Sequence, residues 1–175
     1  LLYGGYPELN GAVLEKNSSI RTEIAGKIKE GMPCMAECGG FMYLHEEMEG
    51  MDGAVYRMAG VIPGKAFRTP RLSRFGYVTL SQKKPVLGCE NLGAVPAHEF
   101  HYFDSENCGE DFLARKPESS RSWNCIHGTE NLLAGFPHLY YYGNPKVPEA
   151  FLKQCASYRT RMRQAAEADG CRRKS

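Results

Sequence analysis

The sequence lacks the features that mark several classes of protein. No apolar run approaches the roughly 20 residues that span a bilayer, no secretory signal peptide is visible and no C-x-x-C pair occurs. Neither charge sign is in excess, since 22 Lys and Arg face 20 Asp and Glu. These absences argue against a membrane protein, a disulfide scaffold and a nucleic-acid partner recruited by bulk charge. We therefore expect a cytoplasmic protein whose specificity resides in a local site.

A metal-binding pattern is also missing. The chain has seven cysteines and five histidines, but no four of them have the spacing typical of a zinc site. Cys34 and Cys38 are four residues apart, yet a predicted strand and turn separate them. We predict no metal site.

The chain has the length of one domain. Its 175 residues can bury a core without disulfides, and no repeat or low-complexity segment divides it. It opens without Met on Leu1-Leu2-Tyr3-Gly4-Gly5, the pattern of a strand end that runs into a glycine turn. We expect an N-terminally truncated fold, with further sequence before Leu1.

The order of elements near the start indicates an α/β fold. Asn17 or Ser18 can cap an amphipathic helix, and Pro33 prevents its continuation beyond Gly31. The predicted elements are this helix, a buried strand over residues 34–36, a tight turn at Gly39-Gly40 and a second helix over residues 41–48.

The middle of the chain looks β-rich, and a helix closes it. The predicted elements are strands over 56–62, 75–80 and 98–103, an exposed loop over 104–122, short strands over 122–126 and 139–142, and a helix from Pro148 with Phe151, Cys155, Tyr158 and Met162 on one face. The basic tail over residues 159–174 is expected to be solvated.

Cys38 stands where a strand meets two glycines and a helix. This is the geometry of a nucleophile elbow, in which the reactive side chain sits on a strained turn. A thiol at a helix N-terminus is also favoured as the thiolate. By residue type alone, a free cysteine is more often a small buried hydrophobe, but the surrounding pattern favours a nucleophile.

Five motifs carry a resemblance to a known family. They are Gly4-Gly5-Tyr6-Pro7-Glu8, Ala36-Glu37-Cys38-Gly39-Gly40-Phe41-Met42-Tyr43-Leu44, Gly60-Val61-Ile62-Pro63-Gly64, Arg74-Phe75-Gly76-Tyr77 and His98-Glu99-Phe100-His101-Tyr102. In this order they resemble the C-terminal half of the cobyrinate a,c-diamide synthase family. The resemblance implies a class I (triad-type) glutamine amidotransferase domain of the cobalamin-biosynthesis subfamily, with a flavodoxin-like three-layer α/β sandwich. We assign residues 1–147 to this glutaminase domain, and 148–175 to its closing helix and basic tail.

The resemblance also selects a general base. Phe136-Pro137-His138-Leu139-Tyr140 matches the late segment in which the subfamily keeps its catalytic histidine, so His138 is predicted to serve Cys38. The alternatives are a merely packed imidazole at His138, or His101 as the base. Many class I members have an acidic residue two positions after this histidine, whereas Tyr140 stands there. The group that orients the imidazole is therefore left open.

Oxyanion donors and binding residues complete the predicted site. The N–H of Gly39, just after the nucleophile, and that of Gly5 are the natural oxyanion donors, although Gly4-Gly5 could be a simple turn. Tyr6, Glu99 and His101 are candidates for binding glutamine, and for Glu99 and His101 the alternative is a solvent-facing strand edge.

The partners follow from the resemblance. Glutamine is the implied substrate, and the ammonia would pass to an N-terminal ATP-dependent ligase domain that acts on a corrinoid with Mg-ATP. We expect that domain to lie outside this segment, since no G-x-x-x-x-G-K-[ST] loop occurs in it, and no cofactor is expected here. Arg74 could face that domain or a carboxylate, although an exposed structural role is as plausible.

The oligomeric state, a homodimer among the options, stays open. The alternative functions are a non-catalytic docking module and a stand-alone cysteine hydrolase of the same superfamily.

Overall fold

The computed structural model describes residues 1–172. In this part of the chain there are four α-helices: α1 (Gly11–Lys16), α2 (Ser18–Lys29), α3 (Gly39–Tyr43) and α4 (Lys146–Arg172). The strands of the same residues are β1 (Cys34–Glu37), β2 (His45–Glu49), β3 (Val55–Arg57), β4 (Ile62–Arg68), β5 (Arg74–Gln82), β6 (Val95–His101), β7 (Phe103–Ser105), β8 (Phe112–Arg115), β9 (Ser122–Cys125), β10 (His127–Gly128), β11 (Leu132–Gly135) and β12 (His138–Leu139). Two 3-10 turns, η1 (Pro7–Leu9) and η2 (Tyr141–Gly143), flank them.

A small central sheet is built around the parallel pair of β1 and β11, with β10 beside β11. Leu2 extends this sheet on the other side of β1. Its N–H donates to Met35 O at 2.8 Å, and its C=O accepts the N–H of Glu37 at 2.9 Å. The first residues therefore form a strand end that leads into Gly4-Gly5, as the sequence predicts.

Two larger sheets flank the central one. The first has five antiparallel strands in the order β12-β6-β5-β8-β9, and the second has four strands in the order β3-β2-β4-β7. The mixture of parallel strands, antiparallel sheets and packed helices confirms the predicted α/β class.

The strands β1 and β11 separate two hydrophobic clusters. Met35 and Leu133 face the cluster of the five-stranded sheet and the start of α4. Ala36 and Ala134 face the other cluster, which includes residues of α2, α3 and the four-stranded sheet. The sides alternate because successive strand side chains point to opposite faces. Coverage on both faces explains why this strand reads as a short apolar run.

The closing helix is present as α4 and begins at Lys146. Its first turns pack Val147, Ala150 and Phe151 into the core, while Met162 is exposed. The last predicted basic residue of the tail, Lys174, lies outside the described residues. No helix within residues 1–172 is both long and apolar enough to cross a membrane.

The prediction of a second helix over 41–48 is wrong beyond Tyr43. Residues 45–49 form β2, which pairs with β3 and β4. His45 and Met48 are buried in it and the two glutamates between them are exposed, and this three-residue spacing imitates a helical stripe. Strand pairing decides the outcome because helix propensity is a weak prior.

Two further boundaries differ from the prediction. The expected loop over 104–122 contains β8, which pairs with β5 and β9 and buries Phe112 and Ala114. The strand expected over 56–62 is divided between β3 and β4, and Gly60 lies between them with φ +72°. Both errors come from pairings between distant residues, which no local pattern contains.

Gly40 tests the packing of the opening segment. A Cβ at Gly40 would lie 2.0 Å from the carbonyl oxygen of Leu2, so we expect Gly40→Ala to lower the free energy of unfolding by about 1–3 kcal/mol. Gly26→Ala is the matched control, because Gly26 lies within α2 and its Cβ would meet nothing within 4 Å. It should raise the free energy by about 0.5–1 kcal/mol. Urea unfolding measures both, and equal effects would contradict the packing described.

Candidate active site

Cys38 occupies a strained turn between β1 and α3. Its backbone has φ 48° and ψ −107°, a conformation that costs a non-glycine residue on the order of 1–3 kcal/mol. Two hydrogen bonds hold it: the Cys38 N–H donates to Gly135 O at 2.9 Å, and the Cys38 C=O accepts the N–H of Met42 at 2.9 Å. The geometry is that of the nucleophile elbow expected from the sequence.

The glycines after Cys38 allow the opening segment to approach. A Cβ at Gly39 would lie 2.6 Å from the carbonyl oxygen of Gly5, so only glycine fits there without a shift. Gly39 is also the first residue of α3, where backbone N–H groups have no partner inside the helix. The start of α3 and the Gly4-Gly5 turn are thus in contact.

His138 reaches the same place from the segment that follows β11. β11 ends at Gly135, and after a buried Phe136-Pro137 the chain enters β12, whose His138 pairs with His98 of β6. A Cβ at Gly4 would lie 2.9 Å from His138 Cε1, so the backbone of Gly4 packs on the imidazole. No sequence motif indicates this role for Gly4.

The electrostatics link His138 to Cys38. Interaction with Cys38, and after it with Glu37, raises the pKa of His138 to about 10, although partial burial opposes the rise. The imidazole therefore carries a proton at neutral pH. A protonated imidazole beside a thiol stabilises the thiolate, which is the nucleophilic form.

Glu37 is a residue that the sequence reasoning did not select. Its residue surface is 8% exposed, and its Oε2 lies 3.6 Å from Nδ1 of His138. The hydroxyl of Tyr141 donates to the other carboxylate oxygen. Burial, and after it this contact with Glu37, raises the pKa of Tyr141. The signal was available, because a carboxylate in a buried strand needs a partner.

A cavity of about 940 Å³ brings most of the predicted residues together. Its lining includes Gly5, Tyr6, Cys38, His101 and His138. Its size lies within the range of small-molecule sites, about 300–1,000 Å³. The charged side chains of Glu8 and Arg68 line it as well.

Glu99 and His101 lie on the face of β6 opposite the aromatic side chains, as expected. The alternative of a solvent-facing edge is wrong, because Glu99 is 0% and His101 4% exposed, while Phe100 and Tyr102 face outward. Glu99 Oε1 lies 3.6 Å from His101 Nε2 and 3.7 Å from Nη1 of Arg74. Glu99 is therefore an internal counter-ion beneath the cavity wall.

His101 is held through its Nδ1 and by ring stacking, while its buried Nε2 has no hydrogen-bond partner among the described residues. Nδ1 lies 2.6 Å from the carbonyl oxygen of Phe103, Nε2 faces Glu99, and the ring stacks on Phe136 at 4.1 Å. Both ring nitrogens of His101 are thus turned towards groups inside the protein, so this imidazole is less able than that of His138 to exchange a proton with a thiol. The geometry favours His138 over His101 as the partner of Cys38.

Other described cysteines have the environment of structural thiols. Burial raises the pKa of Cys34 and of Cys108 to about 11, and that of Cys125 to about 12. Cys38 is partly buried, as Cys108 is, but it differs because it lines the cavity.

A strand–cysteine–helix turn beside a histidine from the segment that follows the neighbouring parallel strand is the arrangement of the class I glutamine amidotransferases. Comparison with family models agrees: the chain matches the CobB/CobQ-like glutamine amidotransferase domain over residues 1–145. The chain belongs to this family. The predicted fold of the class I glutamine amidotransferase type is confirmed.

Curated relatives are named cobyrinate a,c-diamide synthase. The protein of Fusobacterium nucleatum is 38% identical over 153 residues, which cover 85% of this chain and 33% of the relative. That of Caldanaerobacter subterraneus is 32% identical over 157 residues, covering 89% of this chain and 35% of the relative. That of Picrophilus torridus is 34% identical, covering 87% and 32%. The chain thus spans about a third of the length of these relatives.

Gly4 tests the placement of His138. We expect Gly4→Ala to push the imidazole away from Cys38, because the new Cβ would meet its ring at 2.9 Å, and so to lower the pKa of His138 from about 10 towards its ordinary value. Gly5→Ala is the control for this pKa, since its Cβ would meet nothing within 4 Å. An NMR titration of the His138 ring reads both. An unchanged pKa in Gly4→Ala would contradict the described packing.

Proposed function

We propose that this domain hydrolyses glutamine through a thioester on Cys38, with His138 moving the proton. The observation that carries the proposal is the presence of both side chains in the lining of one cavity, with Cys38 on a strained turn. Membership of the amidotransferase family supports glutamine as the substrate.

The chemistry then follows from the charges. The Cys38 thiolate attacks the carboxamide carbon, and a tetrahedral intermediate forms. When the C–N bond breaks, His138 gives its proton to the departing nitrogen, so ammonia leaves and a glutamyl thioester remains. Water next attacks the thioester carbonyl while His138 accepts a proton, and glutamate is released with Cys38 restored.

The oxyanion of the tetrahedral intermediate needs preorganised donors. We assign this role to the backbone N–H groups of Gly39 and Gly5. Support comes from the position of Gly39 at the start of α3 and from its packing against Gly5, which lines the cavity. Loss of one such donor typically costs on the order of 10²–10³ in rate.

Glutamine also presents a charged amino-acid end. Its ammonium and carboxylate call for one anion and one cation, and the cavity lining supplies Glu8 and Arg68. Tyr6 and His101 line the same cavity and would contact the substrate. Glu99 acts from below, by holding His101.

The acceptor of the ammonia is proposed from the relatives. Their name implies amidation of the a and c carboxylates of a cobyrinate corrinoid. We propose that an ATP-dependent ligase domain, in the two-thirds of the relatives that this chain does not match, performs that step. No G-x-x-x-x-G-K-[ST] loop occurs in the given sequence, and we assign its residues to the release of ammonia.

Cys38→Ala tests the thioester. We expect the wild-type chain to release ammonia from glutamine and to gain one adduct at Cys38 with a diazoketone analogue of glutamine, and Cys38→Ala to do neither. Cys89→Ala is the matched control, since Cys89 is also partly buried but packs against the core of the five-stranded sheet. Mass spectrometry and an ammonia assay read the outcome.

Two outcomes would redirect the proposal. A wild-type chain that releases no ammonia and takes no adduct would favour the docking module. Labelling at Cys38 by peptide electrophiles, with none by the glutamine analogue, would favour the cysteine hydrolase.

The proton on His138 predicts the pH dependence. Below its pKa of about 10 the imidazolium can protonate the departing nitrogen, and above it that proton is lost. We expect kcat/KM for glutamine to fall as the pH rises through about 10. A rise of kcat/KM as the pH passes through about 6.5, the ordinary histidine pKa, with no fall near 10, would instead show that His138 is neutral in the active form.

A further inference from the structure

We propose that Glu37, held by Tyr141, is the positioning residue that orients His138, so that the third member of the catalytic set comes from the strand before the nucleophile. This inference rests on the proposed function and deepens it. Nothing in the sequence motif marks Glu37 for this role, because class I members commonly place the acid two residues after the histidine, where this chain has Tyr140.

The direction of the Glu37 side chain follows from the strand. Met35 and Glu37 share one face of β1, since side chains two apart point the same way. Met35 lies in the cluster against which Tyr141 packs. Glu37 therefore extends from β1 towards the segment that carries both His138 and Tyr141.

The contacts around the carboxylate assign one oxygen to each partner. Oε1 accepts the Tyr141 hydroxyl, and Oε2 lies 3.6 Å from Nδ1 of His138. A separation of 3.6 Å is longer than a hydrogen bond, but such catalytic contacts often tighten when the substrate binds. With Nδ1 turned to Glu37, Nε2 is the ring nitrogen left for Cys38. That orientation of the ring is what a positioning carboxylate provides.

Burial makes this carboxylate suited to the task. The Glu37 side chain is 10% exposed and that of His138 40%, so the carboxylate is a fixed internal group and the imidazole is the group that needs fixing. Tyr140 cannot substitute, because 59% of its surface is exposed beside Tyr142.

The other titratable groups near the pair are few among the described residues. Cys38 contributes from the turn, His98 stands opposite His138 on β6, and Tyr3 acts on Tyr141. Cys38 and Glu37 are the two groups that raise the pKa of His138. Removing the charge of Glu37 should therefore be visible in that pKa.

Glu37→Gln keeps the shape of the side chain and removes its charge. We expect kcat for glutamine to fall by about 10²- to 10⁴-fold, the range from an outer-shell partner to an orienting aspartate. KM should change little, because Glu37 is absent from the cavity lining. The descending limb of kcat/KM and the NMR pKa of His138 should both move to lower pH.

Two more variants separate positioning from folding. Tyr141→Phe removes the hydrogen bond that holds the Glu37 carboxylate but keeps the carboxylate itself. The descending limb of kcat/KM and the His138 pKa should therefore move to lower pH, by less than in Glu37→Gln. Tyr142→Phe is the matched control, because Tyr142 is 93% exposed, and it should match the wild type.

Glu37→Asp keeps the charge and should restore part of the rise in the His138 pKa that Glu37→Gln loses. If Glu37→Gln does not fold, Glu37→Asp and Tyr141→Phe carry the test.

The inference and the proposed function fail in different ways. If the wild-type chain does not hydrolyse glutamine, the function fails, but the His138 pKa and the rate of Cys38 alkylation by iodoacetamide still test Glu37. If the wild type is active and folded Glu37→Gln keeps its kcat and its His138 pKa, the inference is overturned and the function stands. A lower melting temperature with an unchanged pKa would likewise overturn it, since that is the signature of a structural carboxylate.

Discussion

The hydrogen bond from the Cys38 N–H to Gly135 O is the contact on which the site depends. It closes the parallel pairing of β1 with β11 at the carboxyl edge, where open α/β sheets bind their ligands. Because both strands end there, the chain on one side must turn into α3 and on the other must leave for β12. The common end of β1 and β11 therefore brings the Cys38 thiol and the His138 imidazole close together through the course of the backbone alone.

The strain at Cys38 persists because the surroundings leave it no alternative. Glycines on both sides of the contact remove the side chains that would hold the opening segment away from α3. Behind the turn, Phe41 is fully buried and packs edge-to-face on Phe136 at 4.9 Å. This pair joins the element after Cys38 to the element before His138, so relaxing the turn would disturb both.

The sequence predicts the parts of this site that are local. A strand, a cysteine, two glycines and a helix occupy consecutive positions, and so the elbow at Cys38 could be recognised. His138 could be selected only through a family motif, because one histidine among aromatic residues has no distinguishing pattern. β2 and β8 were missed for the same reason that Gly4 was: their structure is decided by partners far along the chain.

Two buried carboxylates, those of Glu37 and Glu99, each face a histidine side chain. Glu37 lies on β1 and Glu99 on β6, and the distance to the histidine is 3.6 Å in each case. A buried carboxylate without a compensating partner is costly, so a fold retains one where its charge is used. At Glu99 the facing groups, His101 and Arg74, are themselves largely enclosed, so this carboxylate does not reach the cavity. At Glu37 the partner opens onto the cavity, and there the same charge can act on the chemistry. What orients a catalytic histidine is the position of a carboxylate in space, and the strand before the nucleophile reaches that position as well as a residue after the histidine would.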